Sequence, residues 1–251
     1  MKKYQRLYDL DAPQTTLLHR EIIQRKTLLK RLYLDWYQTL IHKSRQIREK
    51  GQFLEIGSGG GFLKTVFPEV ITSDILDLPM VDIVCNAERL PFGNASLCSI
   101  MMVNVFHHIP RPFMFLREAE RTLIPSGKIL MIEPANSLLS RFIYRKFHHE
   151  PFDPDGAMEI MPGNPLSNSN QALPYIYFER EKESFAKNFP ELKLSSIRYH
   201  TPFRYIVSGG LSMNALLPSF CYLPVKIMEQ LLSPLSRQIG LFCSIDIEKR
   251  I

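Results

Sequence analysis

The chain has 251 residues, of which 45% are apolar and 22% are charged, with 12 Gly and 18 Pro. This composition excludes a wholly disordered, collagen-like or coiled-coil protein. The net charge of +6 comes from residues 1–50, which hold 12 Lys and Arg against 5 Asp and Glu. A basic segment of this kind either binds an anionic partner or is an ordinary solvated helix surface.

The cysteines and the first residues bear on the cellular compartment. Four cysteines are scattered without a CxxC pair or a histidine at metal-ligand spacing: Cys85, Cys98, Cys221 and Cys243. This pattern favours free thiols in a reducing cytoplasm over a disulfide framework or a zinc site. The first 25 residues lack the apolar core of a signal peptide, so we expect a cytoplasmic protein.

Residues 15–49 are predicted to form one helix that ends at Gly51. Apolar residues recur along it at helical spacing: Ile22, Leu29, Tyr33, Trp36 and Leu40. A glycine after a helix commonly terminates it. The aromatic stripe of Tyr33, Trp36 and Tyr37 is expected either in the core or in a lid over a ligand.

Downstream of residue 51, short apolar runs alternate with helical patterns. Helices are predicted at 62–67 and 111–123, a turn at 125–127, and strands at 53–56, 70–75, 81–85, 99–103, 128–133, 192–200 and 241–247. Strands that alternate with helices indicate a parallel sheet with helices on both faces.

Two long segments interrupt this alternation. Residues 134–178 are rich in proline and aromatic residues and show little periodicity, which predicts a functional, loop-rich segment. Residues 205–225 contain no charged side chain, but their glycines, prolines and serines make a membrane-spanning helix unfavourable. We expect this run to be either a lipid-facing surface element or a buried cap over a substrate pocket.

A glycine-rich turn from Glu55 to Gly61 follows the first predicted strand and precedes a helix. Backbone amides at such a turn can hold a ligand. Phe62 stands where the dinucleotide fingerprint has its third glycine, which favours a ligand without a pyrophosphate over NAD. Asp74 ends the next strand, where a carboxylate can accept both hydroxyls of a ribose; the alternative is a turn or helix-capping carboxylate.

Four motifs occur in order between Phe53 and Pro134, a third of the chain. They are the glycine turn, the Ser-Asp-Ile sequence at 73–75, residues 86–92, and residues 104–109 with the helix and the turn at 125–128 that follow. In this order they resemble the class I S-adenosylmethionine-dependent methyltransferases, and in particular the small-molecule branch of that family.

The resemblance implies S-adenosyl-L-methionine as the cofactor. Glu55 and the glycines would hold its amino-acid end, Asp74 its ribose, and residues 86–87 its adenine. The cofactor-binding residues predicted in this way are Glu55, Gly57, Ser58, Gly59, Gly61, Asp74, Ile75, Asn86, Ala87 and Asn104. The chain departs from the family at Asn86, where Asp is usual and an amide oxygen would meet the adenine amine. The span from Glu55 to Asp74 is also short by about one helical turn.

The resemblance also implies the architecture. We expect an α/β, Rossmann-like, doubly wound and mostly parallel seven-stranded sheet whose last strand is antiparallel, with a helical N-terminus and cap insertions. The predicted parts are a basic helical segment at 1–50, the cofactor-binding half at 51–134, a cap insertion at 135–190, and C-terminal strands at 191–251 with an apolar insertion at 201–239.

Two neighbouring histidines, His107 and His108, follow the fourth predicted strand, at the edge where open α/β sheets bind ligands. An ordinary imidazole pKa near 6.5 suits proton abstraction, so both are catalytic-base candidates; packing or helix capping is the alternative. Glu133 ends the fifth strand and is either a further candidate or a buried, hydrogen-bonded acid. The His-His-Glu sequence at 148–150 is not expected to bind metal, because adjacent side chains point apart and no second cluster lies at ligand spacing.

Together these features predict a methyltransferase for a small, apolar or lipid-linked acceptor, with peripheral membrane contact through the basic segment and the uncharged run. Two alternatives stay open. One is an RNA methyltransferase that uses the basic helix as a phosphate tether, and the other is a regulatory protein that binds the cofactor without transferring a methyl group. Nucleic acid is the less expected partner, because the chain after residue 50 is near neutral.

Overall fold

The computed structural model describes residues 11–47, 49–161, 163 and 168–250. Its strands are β1 Gln52–Glu55, β2 Val70–Asp74, β3 Ile83–Val84, β4 Leu97–Val103, β5 Leu123–Pro134, β6 Leu192–His200 and β7 Phe242–Lys249. They form one sheet in the order β3-β2-β1-β4-β5-β7-β6. The first five strands are parallel, and β7 runs antiparallel to both β5 and β6. The predicted Rossmann-like sheet with an antiparallel last strand is confirmed.

Helices cover both faces of this sheet. They are α1 Pro13–Arg25, α2 Thr27–Ser44, α3 Leu63–Val66, α4 Pro112–Thr122, α5 Leu138–Phe147, α6 Leu173–Tyr175, α7 Lys182–Asn188, α8 Arg204–Val207, α9 Tyr222–Leu231 and α10 Ser236–Ile239. One turn of π-helix, Ile176–Arg180, joins α6 to α7. Successive residues of β4 point to opposite faces, so Met102 packs with α4 and α7 while Met101 packs with α2. Six of the seven residues of β4 are buried, because both of its faces are covered.

The fifth strand begins earlier than the sequence predicts. It runs from Leu123 through residues 125–127, which the sequence predicts as a turn. Ser126 has a φ of 63°, and the register between β4 and β5 shifts between Leu97 and Ser99. The Pro-Ser-Gly sequence therefore forms an irregularity inside the strand rather than a turn before it.

The prediction of one helix over 15–49 is wrong, because the chain breaks at Lys26 into α1 and α2, and α2 ends at Ser44 rather than at Gly51. Lys26 has extended backbone angles, with φ −84° and ψ 99°. Its amine donates to the carbonyl of Gly210 at 2.7 Å and to that of Met213. These carbonyls lie more than 180 positions away in sequence, so local periodicity does not reveal the break. Residues 1–10 and 48 of the basic segment lie outside the described residues.

The aromatic stripe on α2 belongs to the core. Tyr33, Trp36 and Tyr37 are buried between the helix and the sheet. Trp36 packs on Phe242 of β7, with ring centroids 4.8 Å apart. These residues were expected either in the core or in a lid over a ligand, and the structure places them in the core. Tyr37 also contacts the end of the glycine turn.

The segment 135–190 is more helical than the sequence predicts. α5 starts with a capping box in which the Ser137 and Ser140 hydroxyls each accept a hydrogen bond from the other residue's backbone N–H. Tyr177 and Phe178 pack against Phe106 in the core of the sheet. The second half of the segment is therefore a core layer rather than a cap. The four domain boundaries stay a prediction, and residues 162, 164–167 and 251 lie outside the described residues.

The insertion at 201–239 is tied to α2 by a buried ionic network. Arg204 donates to Asp35 at 2.6 Å and to Glu229 at 2.5 Å, and the Tyr222 hydroxyl donates to Asp35 at 2.7 Å. Glu229 also accepts the backbone N–H groups of Phe203 and Arg204. The insertion is thus a folded layer over α2. None of the helices described in the structure is both long and apolar enough to cross a bilayer.

Removing one member of this network should destabilise the fold. Glu229→Ala leaves Arg204 partly uncompensated and two backbone N–H groups without their acceptor, so we expect a loss of about 3 kcal/mol in the free energy of unfolding. Urea unfolding measures it. The control Glu181→Ala removes a more exposed ion pair with Arg180 and should cost less than about 1 kcal/mol. Equal losses in the two variants would contradict the buried network.

Candidate functional site

The carboxyl ends of β1, β2 and β4 meet at one edge of the sheet, and the glycine turn lies across them. Gly57 has a φ of +64°, and a Cβ atom there would lie 2.5 Å from Cγ2 of Val105. Only glycine fits this position, both for its backbone conformation and for the space available. The turn is held to β2 because Ser58 N donates to the carbonyl of Ser73 at 2.9 Å.

Asp74 joins the end of β2 to the glycine turn. Its Oδ2 accepts the backbone N–H of Gly59 at 2.8 Å, and its Oδ1 accepts that of Leu76 at 3.0 Å. Burial raises the pKa of the Asp74 carboxyl, and these backbone groups oppose the increase. Each oxygen keeps a further lone pair, so the carboxylate can hold the turn and still accept a hydrogen bond from a ligand.

Glu55 is buried at the end of β1, beneath the turn. The Ser58 hydroxyl donates to its Oε2 at 2.8 Å. Burial raises the pKa of Glu55 to about 7, and the charge of Asp74 adds to the increase against the opposing effect of Ser58. The carboxyl is therefore poised to ionise near neutral pH when a cation approaches.

The N-terminal helices lie over the outer side of the turn. The Arg20 guanidinium on α1 donates to the carbonyl of Gly61. A Cβ atom on Gly60 would lie 2.9 Å from the backbone nitrogen of Arg20, and the Tyr37 hydroxyl accepts Phe62 N at 3.1 Å. Arg20 was not among the predicted site residues, because its position depends on the break at Lys26. Tyr37 belongs to the aromatic stripe for which a lid was one of the two expectations.

The other predicted cofactor residues lie around the same edge. Asn104 ends β4 in a left-handed conformation, with φ 57°, and its Oδ1 is buried without a hydrogen-bond partner in the described part of the chain. Asn86 is close to Asp74 because Cys85 N donates to the Asp74 carbonyl at 2.9 Å. Its own Oδ1 accepts Glu88 N at 2.8 Å. Ala87 is half-buried.

Ile75 stands apart from these residues, because about half of its side chain is exposed next to Asp74. In contrast, hydrogen bonds connect Glu55, Ser58, Gly59 and Asp74 into one continuous group. The ligand role of all the predicted residues stays a prediction.

His107 lies just beyond β4, on a short 3₁₀ turn over Phe106–His108. Its Nδ1 donates at 2.6 Å to Oε2 of Glu133, whose Oε1 accepts Val105 N and Phe106 N at 2.8 Å each. Burial alone would lower the pKa of His107, but the Glu133 carboxylate outweighs it and raises the pKa to about 9. The sequence left Glu133 as either a catalytic candidate or a buried, hydrogen-bonded acid, and its position in the structure is that of a buried, hydrogen-bonded acid.

The adjacent histidine has the opposite protonation. Burial and the neighbouring charge of His107 lower the pKa of His108 to about 4, so its imidazole is neutral at pH 7. A base must be unprotonated to accept a proton, which makes His108 better suited than His107. A catalytic role for either residue stays a prediction.

The expectation that the His-His-Glu sequence at 148–150 has no partner cluster is wrong. Glu150 Oε2 lies 3.3 Å from His107 Nε2, and Glu150 Oε1 lies 3.7 Å from His108 Nε2. The chain after α5 folds back onto the turn that follows β4, which brings together groups about forty positions apart. Glu150 is a site residue that the sequence reasoning did not identify.

The chain is similar to known proteins in one sequence domain and in its fold. A sequence model of the family described as methyltransferase domain matches residues 54–131. None of the curated protein sequences matches the chain. Among solved structures, the PH0226 protein from Pyrococcus horikoshii is 13% identical, with all of both chains covered and a TM-score of 0.51.

A second solved structure is a SAM-dependent methyltransferase from Thermotoga maritima, named as a possible histamine N-methyltransferase. It is 16% identical, with 87% of this chain and 89% of that chain covered and a TM-score of 0.49. At such identities structural likeness speaks for the fold alone. The domain match covers the strands and the glycine turn that form the site described above. Residues 54–131 are therefore a methyltransferase domain, and the match supports an enzyme that uses S-adenosyl-L-methionine as the methyl donor.

Proposed function

We propose that the enzyme methylates a small, apolar or lipid-linked acceptor that it meets at a membrane surface. The observation that carries this proposal is an exposed apolar surface on the insertion at 201–239, next to the basic N-terminal helices. The donor side of the proposal rests on the buried polar groups at the ends of β1, β2 and β4.

The donor-side residues fit the cofactor in charge and in hydrogen-bonding capacity. Glu55 would pair with the ammonium of its amino-acid end, and Asp74 would accept from the ribose hydroxyls. The Oδ1 atom of Asn104 is buried without a hydrogen-bond partner in the described part of the chain. Because buried polar atoms normally have a partner, this supports a ligand that donates a hydrogen bond at this edge. Gly57 and Gly59, both at positive φ, let the backbone of the turn approach a ligand closely.

S-adenosyl-L-methionine, when bound, supplies a methyl group already activated on a sulfonium. The chain's own contribution is then to orient the acceptor and to exclude water, which together can lower the barrier by several kcal/mol. A proton acceptor is needed only when the acceptor atom must lose a proton. His108, neutral and next to the end of β4, is the residue suited to that task.

The exposed apolar surface runs along α9 and the turns beside it. Phe220, Leu223, Ile227 and Leu231 recur at spacings of three and four and form one stripe, in which Phe220 and Leu231 are each 76% exposed. The opposite side of α9 is buried through Tyr222, Val225 and Glu229. A helix that is apolar on its outward side suits insertion into the interface of a bilayer.

Basic side chains adjoin this stripe. The Arg31 guanidinium on α2 donates to the Ser219 carbonyl at 3.4 Å and lies 5.9 Å from the centre of the Tyr222 ring. Arg31 is exposed, so it can also face an anionic headgroup. Lys26 differs, because its amine is occupied by carbonyls of the insertion. Arg31 of the basic segment thus lies beside Ser219 and Tyr222 of the uncharged run, and this supports a lipid-linked acceptor.

Replacing the proposed ribose acceptor should weaken cofactor binding. We expect Asp74→Asn to reduce the affinity for S-adenosyl-L-methionine by about 1.5 to 3 kcal/mol, the contribution of hydrogen bonds to a charged group. Isothermal titration calorimetry measures it, and a thermal melt verifies that the turn still folds. The matched control is Asp77→Asn, which neutralises an exposed carboxylate three residues away and should bind as wild type does. Equal affinity in the two variants would remove Asp74 from the site.

Cofactor affinity should also depend on pH through Glu55. Only the ionised carboxylate attracts an ammonium, and with a pKa of about 7 in the free protein a growing fraction is protonated as the pH falls. Affinity should therefore increase from pH 5.5 to 7, by up to tenfold per pH unit, while the cofactor's α-amino group stays protonated. Calorimetry across this range tests it. Glu55→Gln should bind weakly with a flat profile, and a flat wild-type profile would show that Glu55 does not meet a cation.

The stripe on α9 should determine binding to membranes. Wild type should co-sediment with vesicles of phosphatidylcholine and phosphatidylglycerol, whereas the triple variant Phe220→Ser, Leu223→Ser, Leu231→Ser should bind at least tenfold less. Full burial of each such side chain is worth about 1.5–3 kcal/mol. Added salt should weaken binding without abolishing it, because only the basic contribution is screened.

The matched control replaces three exposed apolar residues outside the stripe: Val66→Ser, Val84→Ser and Met114→Ser. This variant should co-sediment as wild type does. If the stripe variant does so too, or if wild type stays in solution at low salt, the acceptor is a soluble metabolite and the membrane part of the proposal fails.

A further inference from the structure

Imidazoles and carboxylates gather on the acceptor side of the sheet edge, beyond the groups assigned to the cofactor. We call this set the histidine cluster; it comprises His107, His108, Glu133, His148, His149 and Glu150. Glu150 lies at its centre, with both oxygens facing imidazole nitrogens. Three of these residues, His107, His108 and Glu150, present ligand atoms that all lie within 4.8 Å of one another.

The spacing of these atoms suits a metal ion. Ligand atoms around a tetrahedral zinc ion, with bonds of about 2.0–2.1 Å, are about 3.3 Å apart. His107 Nε2 lies 3.3 Å from one oxygen of Glu150, and His108 Nε2 lies 3.7 Å from the other. His149 Nε2 is also 3.7 Å from the second oxygen and is the nearest source of a fourth ligand. The donor atoms, one from each of His107, His108 and Glu150, all lie within 4.8 Å of one another, so these side chains would move closer together around a bound ion.

We propose that His107, His108 and Glu150 form a binding site for a divalent first-row transition-metal ion on the acceptor side of the enzyme. In the metal-bound enzyme His108 is a ligand, and the role of proton acceptor described above applies to the metal-free enzyme alone. Two imidazoles and one carboxylate are a ligand set that such ions accept, whereas Mg²⁺ and Ca²⁺ prefer oxygen ligands alone.

The charges around the site favour a cation. Two carboxylates, Glu133 and Glu150, are buried or nearly so, with side-chain exposures of 0% and 14%. In the part of the chain that the structure describes, histidines are their only ion-pair partners, with neither Lys nor Arg within 4.0 Å. Buried carboxylates are costly unless positive charge compensates them. A dication at the centre of the cluster would balance both.

A second layer of hydrogen bonds already orients the proposed ligands. Glu133 holds His107 Nδ1 at 2.6 Å, which leaves Nε2 directed at Glu150. A metal ion would displace the proton that this Nε2 carries in the metal-free protein, and that proton would be released to solvent. Gln171 Nε2 donates to Glu150 Oε2 at 2.8 Å and contacts His148 Nδ1 at 2.6 Å. A carboxylate behind a metal-bound histidine is a common outer partner, because it fixes the ring and strengthens the nitrogen as a ligand.

The cluster lies close to the proposed cofactor site. His19 on α1 lies beside the glycine turn, where its Cβ would be 3.2 Å from a Cβ on Gly60; burial lowers the pKa of its imidazole, and the charges of His149 and Glu150 also shift it. Three protein ligands leave a coordination position open. If methyl transfer proceeds as proposed above, that position would take an oxygen atom of the acceptor, such as a hydroxyl, carboxylate or phosphate oxygen. Binding of the metal itself does not depend on that proposal.

The test uses the full chain, stripped with a chelator and dialysed, with Zn²⁺ alone as the probe and neither cofactor nor acceptor present. Wild type should retain about one Zn²⁺ per chain by mass spectrometry of the metal, and excess Mg²⁺ should not displace it. Glu150→Gln and His108→Gln should each weaken Zn²⁺ binding at least tenfold. The matched control is His42→Gln, which removes an imidazole near the end of α2 and should leave Zn²⁺ binding unchanged.

A thermal melt in metal-free buffer shows whether each variant folds. If both cluster variants fail to fold, the visible absorption spectrum of Co²⁺ bound to wild type is measured instead. This spectrum reports nitrogen and oxygen ligands in a low-symmetry site. The proposal is overturned when wild type binds no Zn²⁺, when the folded cluster variants bind Zn²⁺ as tightly as wild type, or when Co²⁺ gives only the spectrum of the hydrated ion. The cluster is then a hydrogen-bonded ion network, and the methyl-transfer proposal is unaffected.

Discussion

Buried carboxylates that accept backbone N–H groups hold the functional edge of this enzyme together. Where parallel strands end, their N–H groups no longer have a neighbouring strand to bond, and a buried donor without a partner is costly. Glu133 accepts Val105 N and Phe106 N after β4, and Asp74 accepts Gly59 N and Leu76 N after β2. The acids therefore shape the loops before any ligand binds, and the same acids provide the charges that a ligand would meet.

The break at Lys26 has a comparable effect on the outer side of the site. Because α1 turns away from the axis of α2, Arg20 and His19 both lie beside the glycine turn. The amine of Lys26 at the same break holds the carbonyl of Gly210 in the insertion. One residue of irregular backbone thus joins the helix that covers the proposed cofactor site to the insertion that carries the apolar surface.

Much of the donor half was predictable from the sequence, because its signals are local. The glycine turn, Asp74 and the apolar runs of β1 to β5 each occupy a few consecutive residues, and the family resemblance covers the same segment. The features that were missed depend on distant contacts. Glu150 contacts His107 only because the chain folds back after α5. Tyr177 and Phe178 are buried in the core, but they lie in a segment whose prolines make its helices hard to predict. Neither periodicity nor spacing carries such information.

This contrast follows from how the two halves of the enzyme are built. The donor side comes from one continuous stretch, residues 54–131, in which strands, turns and acids follow one another directly. The proposed acceptor side combines α1, the segment after α5 and the insertion at 201–239. The insertion is joined to the break between α1 and α2 through Lys26 and to α2 through Arg204. Changes in any of the three segments can alter the acceptor side while the strand ends keep their hydrogen bonds. If the acceptor binds as proposed, its recognition depends on these three segments rather than on the sheet.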